Sequence, residues 1–383
     1  MVVMLEYICS CYYIYSYVFI LVIVLCYYKG YNTQANFMWL EFFPAMVVLD
    51  GLRWETGNDW ENYKDIYLNC FIRTDMRVEI GYQYLNRIIY YVFGPNYTIF
   101  LLIISLIYYY FICDSIRKYS NMPLIAFFLF YCGYLAFMGT IRQLLAFSIC
   151  FYSLRFVVCY KYWRFLLCVL LASLLHNSAL FFLIVAFLNR SFSLKIYVLG
   201  VLISVFVSLF GLVDLLFFEF VSGLGGTILF VDRLNDYFYS GNEYLSQFSY
   251  FVMLIPVLRR FIIVFFSYFI MEKVLVNNRY FRILFNMYYL FVIIYLLFYG
   301  SNLQILVSRL SLYLMVCEFL LIGEFVFLIK NKIPLLFVVL CVFVYGILFV
   351  NKALNESEYK FPNSLFFPYK GIFVNTTYLR TMY

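Results

Sequence analysis

Few side chains in this sequence can do chemistry, and they are not scattered evenly. The segment Gly51–Tyr67 reads GLRWETGNDWENYKDIY and carries Arg53, Asp59, Glu61 and Tyr63 directly after an apolar run that ends at Leu49. Further on come Glu79 and Tyr82, then Arg142 and Gln143 in the run Gly139-Thr-Ile-Arg-Gln143. His176 is the single histidine. Arg233 is flanked by Asp232 and Asp236, and Arg309 lies in Ser308-Arg-Leu-Ser311. Arginines suit phosphate or diphosphate, because the guanidinium presents a planar fork of donors. Carboxylates and imidazole move protons. Aromatic rings suit sugar faces, although 41 Tyr and 47 Phe mostly reflect packing and interfacial belts.

Each candidate has local support and a plainer alternative. Asn58 followed by Glu61 reads as a helix start, so a loop helix is expected over 59–70. A second short helix is expected from near Thr74, with Glu79, Tyr82 and Asn86 on one face and Ile80, Leu85, Ile88 and Ile89 resting in the membrane interface. The plainer reading of those charges is a solvated loop. Thr140 and Gln143 read as a capping box at the start of a span. Arg142 then sits in a first helical turn, where a cation is unfavourable unless an anion is also present. It is the leading anion-binding candidate, against snorkelling to lipid headgroups. His176 falls at a break between apolar segments, with Asn177 and Ser178 placed to cap the next one. Arg309 lies about two turns inside its span, a depth at which charge faces a cavity or a partner. A single histidine argues against a histidine-based metal site. No DxD pair occurs, and no metal or other cofactor is expected.

These groups must be positioned by membrane helices. The chain is 66% hydrophobic, 24% aromatic and 12% charged over 383 residues, and its mean hydropathy is +0.91. Long apolar runs recur from end to end and do not alternate, which excludes a soluble globular protein and a transmembrane barrel. The 11 cysteines include no CxxC pair, so no disulfide framework is implied. The expected fold is an all-α polytopic membrane protein, one transmembrane domain over residues 1–383. The first apolar run, about Tyr7–Tyr28, is too long for a signal peptide and reads as an uncleaved span.

Spans are expected at about 7–28, 35–50, 97–116, 122–138, 141–159, 162–175, 178–189, 194–221, 258–276, 281–299, 303–329 and 333–350, about twelve in one bundle. Lys29, Arg117 and Lys118, Lys161 and Arg164, Arg190 and Lys195, Arg279 and Arg282, and Lys330 and Lys332 fall in alternate connections. If those are cytoplasmic, the net charge of +7 sets topology and does not imply nucleic acid. The outward side then receives the loops 51–94 and 222–258, the turns at Arg142 and His176, and the tail 351–383. The segments 162–175 and 178–189 are short for a bilayer of roughly 30 Å and read as half-helices that meet at His176. A cationic, aromatic, outward-facing cavity in such a protein points to a lipid-linked, phosphate-bearing glycosyl substrate.

At these residues the chain resembles the EpsG-type family of bacterial Wzy polymerases, which join O-antigen or exopolysaccharide repeat units. The family's first signature, Gly-Leu-Arg, then Gly-x-Asp and a Tyr, is matched by Gly51, Leu52, Arg53, Gly57, Asp59 and Tyr63. Its Glu-x-Gly-Tyr element is matched by Glu79, Gly81 and Tyr82, and Ile-Arg-Gln-x-x-Ala by Ile141, Arg142, Gln143 and Ala146. Its His-x-Ser-Ala element is matched by His176, Ser178 and Ala179, its late arginine by Arg309 and its Pro-Tyr by Pro368 and Tyr369. The match runs from about residue 35 to 190 and is looser afterwards; the loop around Arg233 is not matched.

The resemblance implies a fold similar to the multi-helix membrane glycosyltransferases, a bacterial inner (plasma) membrane location and an active periplasmic face. It implies transfer of a growing glycan from undecaprenyl diphosphate to a sugar hydroxyl of the next lipid-linked repeat unit. Partners would be lipid-linked oligosaccharide repeat units, membrane lipids and a chain-length regulator. Arg142 and Arg309 would hold the diphosphate, assisted by Arg53 or Arg233. His176 is the first candidate for the base, with Asp59 and Glu79 the others. Tyr63, Tyr82 and Gln143 are the glycan-binding candidates. An O-antigen ligase would use the same donor. A membrane O-acyltransferase would want a second deep polar partner. A lipid-linked oligosaccharide flippase would want polar groups through the membrane depth and pseudo-symmetric halves, and no internal repeat is visible.

Overall fold

The computed structural model describes residues 30–57, 59–72, 78–216, 250–301, 304–360 and 371. The named elements are helical throughout. Five helices among the described residues are long and apolar enough to cross a membrane: Tyr97–Tyr119, Ile141–Val158, Arg279–Leu297, Leu310–Leu328 and Ile333–Ala353. Shorter apolar helices accompany them. The protein is therefore an all-helical, multi-pass membrane protein; the first expected span lies outside the described residues.

Two compact units are present. The first takes in the described residues within Met1–Phe156, Lys161–Leu183 and Ile322–Tyr383. It opens with α1 (Tyr31–Phe37), a π-helical turn (Met38–Phe42) and α2 (Phe43–Gly51). Pro44 sits at the start of α2 and has no N–H to give, which is where the wider turn is inserted. Two loop helices follow, α3 (Trp60–Leu68) and α4 (Ile80–Phe93), then α5 (Tyr97–Tyr119). At the centre is α6 (Pro123–Tyr134), every residue of which is buried. A helix apolar all round belongs in such a position. Near its start, Glu324 accepts from the backbone N–H and the side-chain amide of Asn121 at 2.7 and 2.8 Å. The unit continues through α7 (Ile141–Val158), α8 (Tyr162–Ser173) and a 3₁₀ helix (Asn177–Phe187). At the end of α5, Asp114 accepts from Arg155 of α7 at 2.6 Å and from Arg117 at 3.0 Å.

The second unit takes in the described residues within Val157–Tyr160 and Ile184–Leu321. It contains α9 (Leu194–Leu209), α10 (Tyr250–Lys273), α11 (Arg279–Leu297) and most of α12 (Gln304–Leu328). Asn286 of α11 donates to the carbonyls of Leu188 and Arg190 and accepts from the Tyr197 hydroxyl at 2.6 Å. That side chain closes the turn into α9.

Three expected boundaries are corrected. The helix expected from near Thr74 begins at Ile80, with Glu79 extended ahead of it (φ −62, ψ 141); Thr74 itself is outside the described residues. The span expected from 258 begins by Tyr250, so Arg259 and Arg260 lie inside a helix and not at its outer end. Two adjacent arginines interrupt the apolar run there and mimic a span boundary. The span expected to end at 350 continues as α13 (Lys332–Lys360), so the tail from Asn351 is helical at its start. Lys352, Ala353, Leu354 and Glu356 are strong helix formers and carry the helix past the apolar run.

Candidate functional site

The site is assembled by two glycines that let backbones touch. Gly57 has φ +92, and a Cβ there would lie 2.7 Å from the Met138 carbonyl oxygen. A side chain is excluded by conformation and by space. The loop after Arg53 therefore sits directly on the turn that precedes α7. From Gly57 the chain enters α3, which buries Trp60, Tyr63, Ile66 and Tyr67 at helical spacing. Tyr63 thus faces inward, and its hydroxyl accepts from Nε of Arg142 at 3.3 Å.

Gly81 does the same for α4. Its N–H donates to the Leu174 carbonyl at 2.9 Å, and a Cβ there would lie 2.7 Å from both Leu174 Cβ and that oxygen. The start of α4 is therefore pressed against the end of α8. Two residues before Gly81 stands Glu79; two residues after Leu174 stands His176, between α8 and the 3₁₀ helix. The break at His176 is the one expected from the sequence. The 3₁₀ helix rises about 2.0 Å per residue, so its eleven residues reach further than an α-helix of that length would.

Glu79 is the hub. Its Oε1 lies 2.9 Å from Nδ1 of His176 and accepts from the Asn177 N–H at 3.3 Å, while its Oε2 accepts from Nη1 of Arg142 at 2.7 Å. The anion that the position of Arg142 requires is supplied by the protein itself. The side chains are enclosed but reachable, 10% exposed for Glu79, 18% for His176 and 20% for Arg142. Burial would raise the Glu79 carboxyl, but the hydrogen bond from His176 and the charge of Arg142 outweigh it and hold it down to about 2. Burial raises the Tyr63 hydroxyl, opposed by Arg142. An ionised carboxylate only accepts, so Nδ1 of His176 carries a proton. The arrangement fixes an imidazole on one side of Glu79 and a guanidinium on the other.

The remaining expected residues are placed as follows. Asp59 is exposed at the start of α3 in a left-handed conformation (φ 55), and its charge is felt by Tyr63. Tyr82 is wholly buried behind Tyr63, ring centroids 5.9 Å apart, and Gln143 is buried next to Arg142 in sequence. Arg53 is buried, ion-paired to Asp50, and its backbone forms an isolated bridge with Gly371. The Thr140 hydroxyl donates to the Phe137 carbonyl at 2.7 Å. The backbone of Arg309 is in α12, but its side chain lies outside what is described, as do Arg233, Asn58, Pro368 and Tyr369 altogether. Among the described residues no group of three His, Cys, Asp or Glu could hold a metal ion. Sequence reasoning missed the Asn177 N–H, the partner Asp50 of Arg53 and the intramembrane carboxylates Glu318 and Glu324. The last two sit in an unbroken apolar run and were legible only as single letters within it.

Helices that span a membrane and a polar cluster at the junction of loop helices and spans define a multi-pass membrane protein with a built site. The family model described as EpsG matches residues 36–371, and the chain belongs to the EpsG family. That is a family of Wzy-like polymerases, so the chain is a polysaccharide-polymerase-like membrane protein, glycosyltransferase-like in general type. No curated protein and no solved structure matches it.

Proposed function

We propose that the protein is an O-antigen or exopolysaccharide polymerase. In this reading it crosses the bacterial inner membrane about twelve times and works on the periplasmic face. It transfers a growing glycan from undecaprenyl diphosphate to a sugar hydroxyl of the next lipid-linked unit. Nε2 of His176 takes the proton of the acceptor hydroxyl as that oxygen attacks the anomeric carbon. The bond to the diphosphate breaks, and the leaving diphosphate keeps the electron pair beside Arg142, with Arg309 as the second cation. Glu79 is assigned a different role from the base: a carboxyl held near 2 is a poor proton acceptor at neutral pH, and its place is to orient His176 and Arg142. Asp59 and Arg233 remain assisting candidates.

The observation that carries this reading is the single carboxylate of Glu79 joining Arg142 and His176, residues from three separate motifs. The test is a polysaccharide gel of a strain that holds the cognate repeat-unit genes and no polymerase. Expression of this chain should turn a single-repeat band into a ladder, and Arg142→Ala or His176→Ala, expressed at the same level, should abolish it. Single repeats that are merely exported or ligated when the chain is present would overturn the polymerase reading in favour of a flippase or ligase.

A further inference from the structure

The helix that carries Gly81 has an exposed face that the site above does not use. On α4, Ile80, Tyr84, Ile88, Tyr91 and Val92 are between 56% and 86% exposed. At 3.6 residues per turn they share one face, and Tyr82, Asn86 and Ile89 are buried on the other. Ile89, which the sequence groups with Ile80 and Ile88, is thus on the inner side. Arg87, the only charged residue of α4, donates from Nε to the Cys70 carbonyl at 2.9 Å and is tied to the segment after α3. α3 packs against α4 through Tyr63 with Tyr82 and Tyr67 with Tyr90, ring centroids 5.9 and 5.6 Å apart. Its own exposed residues are Glu61, Asn62 and Asp65. Two helices in contact therefore offer opposite chemistry, charged on one and apolar on the other.

What covers the apolar face follows from its neighbours. α4 has 14 residues, about 21 Å, too short for a hydrocarbon core of roughly 30 Å. It runs into α5, one of the helices long enough to span, through Gly94 (φ +70), whose carbonyl accepts from the Tyr67 hydroxyl at 2.7 Å. At its other end the Gly81 N–H donates to the Leu174 carbonyl, so the exposed Leu170, Leu171 and Leu174 adjoin the start of α4. A tyrosine on such a face sets its ring among acyl chains and its hydroxyl among headgroups.

We propose that α3 and α4 form a membrane-surface element. The face of α4 from Ile80 to Val92 is bedded in the lipid bilayer at the headgroup–acyl boundary, and the charged face of α3 stays in water. An amphipathic helix in that position reaches about 5–10 Å into the boundary. Glu79 immediately precedes the bedded face, so the depth of α4 sets the depth of the Glu79 cluster, at the level of lipid phosphates. The use of that depth rests on the polymerase reading, in which a lipid-linked diphosphate meets Arg142 without leaving the membrane; the lipid contact itself does not.

The test uses the full-length chain in nanodiscs of phosphatidylethanolamine and phosphatidylglycerol, with a phosphatidylglycerol that carries a diazirine in its acyl chain. Photolysis and mass spectrometry should find crosslinks on α4 as well as on α5, where Leu106 and Tyr110 are exposed. Hydroxyl-radical oxidation should spare Tyr84 and Tyr91 and modify the reporter introduced on α3 by Asn62→Tyr. Ile88→Glu combined with Tyr91→Glu should lose the α4 crosslinks, keep those on α5 and shorten the glycan ladder. Oxidation of Tyr84 and Tyr91 alongside the reporter would put α4 in water and overturn the proposal. Protection without crosslinks, while α5 is labelled, would put another segment of the chain or a second copy on this face and overturn it equally. A double variant that loses the crosslinks yet builds a normal ladder overturns the depth claim. An unaltered chain that is crosslinked on α4 but builds no ladder supports the lipid contact and overturns the polymerase reading instead.

Discussion

Oε1 of Glu79 lies 2.9 Å from Nδ1 of His176 across 97 positions of sequence, and the other oxygen of the same carboxylate holds Arg142 at 2.7 Å. One residue thus fixes both the tautomer of the imidazole and the direction of the guanidinium. Glu79→Gln keeps the size of the side chain but turns one oxygen into a donor that cannot satisfy Arg142. Its transfer rate should fall by about 10²- to 10⁴-fold, the span of a mispositioned acid–base group. Chain-length ladders at matched expression would check this, and a ladder of normal length would remove Glu79 from the mechanism.

The same carboxylate gives a pH signature in stability. Its pKa in the folded protein is about 2, below the ordinary 4.5, so the ionised form is the one the fold favours. The contribution is complete above about 4.5 and is lost as pH falls toward 2. Thermal melting in detergent should therefore show a drop between those values that is smaller in Glu79→Gln. Superimposable profiles would mean the ion pair does not form in solution.

Gly81→Ala should be as damaging as a change in the site itself. The added methyl meets Leu174 Cβ and the Leu174 carbonyl at the same 2.7 Å, so α4 must move and take Glu79 away from His176. Loss of about 10²-fold or more in transfer is expected, on the scale of a misplacement of about 1 Å of a reacting group. Leu174→Ala should not rescue it, because alanine keeps both the Cβ and the carbonyl that the methyl meets; rescue would mean that this contact does not set the position of α4.

Tyr63→Phe removes only the hydroxyl that accepts from Arg142. A hydrogen bond from a charged donor is worth about 1.5–3 kcal/mol, so a loss of roughly 10- to 100-fold is expected. Tyr63→Ala, which also removes the ring beside Tyr82, should cost more. If the Phe variant instead changes only the affinity for acceptor glycan, Tyr63 contacts sugar and not Arg142.

Glu324→Ala serves as a contrast. It strips two hydrogen bonds from Asn121 at the start of the fully buried α6. Stability should drop by about 1–3 kcal/mol, while the protein that remains folded makes chains of normal length. A shift in chain length without a change in melting would contradict a purely structural role.

Much of this was legible in the sequence, for physical reasons that differ by residue. Arg142 stood out because a cation at a helix start demands an anion. His176 stood out because polar residues between two short apolar runs mark a break, and the structure has α8 and the 3₁₀ helix meeting there. The partner of Arg142 was not legible. Glu79 lies 63 residues away, and it is brought in by tertiary contacts such as that of Gly81 with Leu174 and of Tyr82 with Tyr63. The span expected from 258 started too late because the adjacent Arg259 and Arg260 interrupt the apolar run, and hydropathy treats a charge within a span and a charge at its edge alike. Glu318 compensates Arg259 only in three dimensions.

The shared carboxylate also sets a sequence of charge. With His176 neutral, the positive charge of Arg142 is cancelled by Glu79, and the three side chains together carry none. On the mechanism proposed above, the proton taken from the acceptor makes the imidazole cationic while the leaving diphosphate gains its negative charge. The cluster then carries one positive charge at the instant an anion needs it and returns to neutrality once the proton departs. A pocket that switches in this way attracts the departing group only transiently, and so releases the spent carrier instead of holding it.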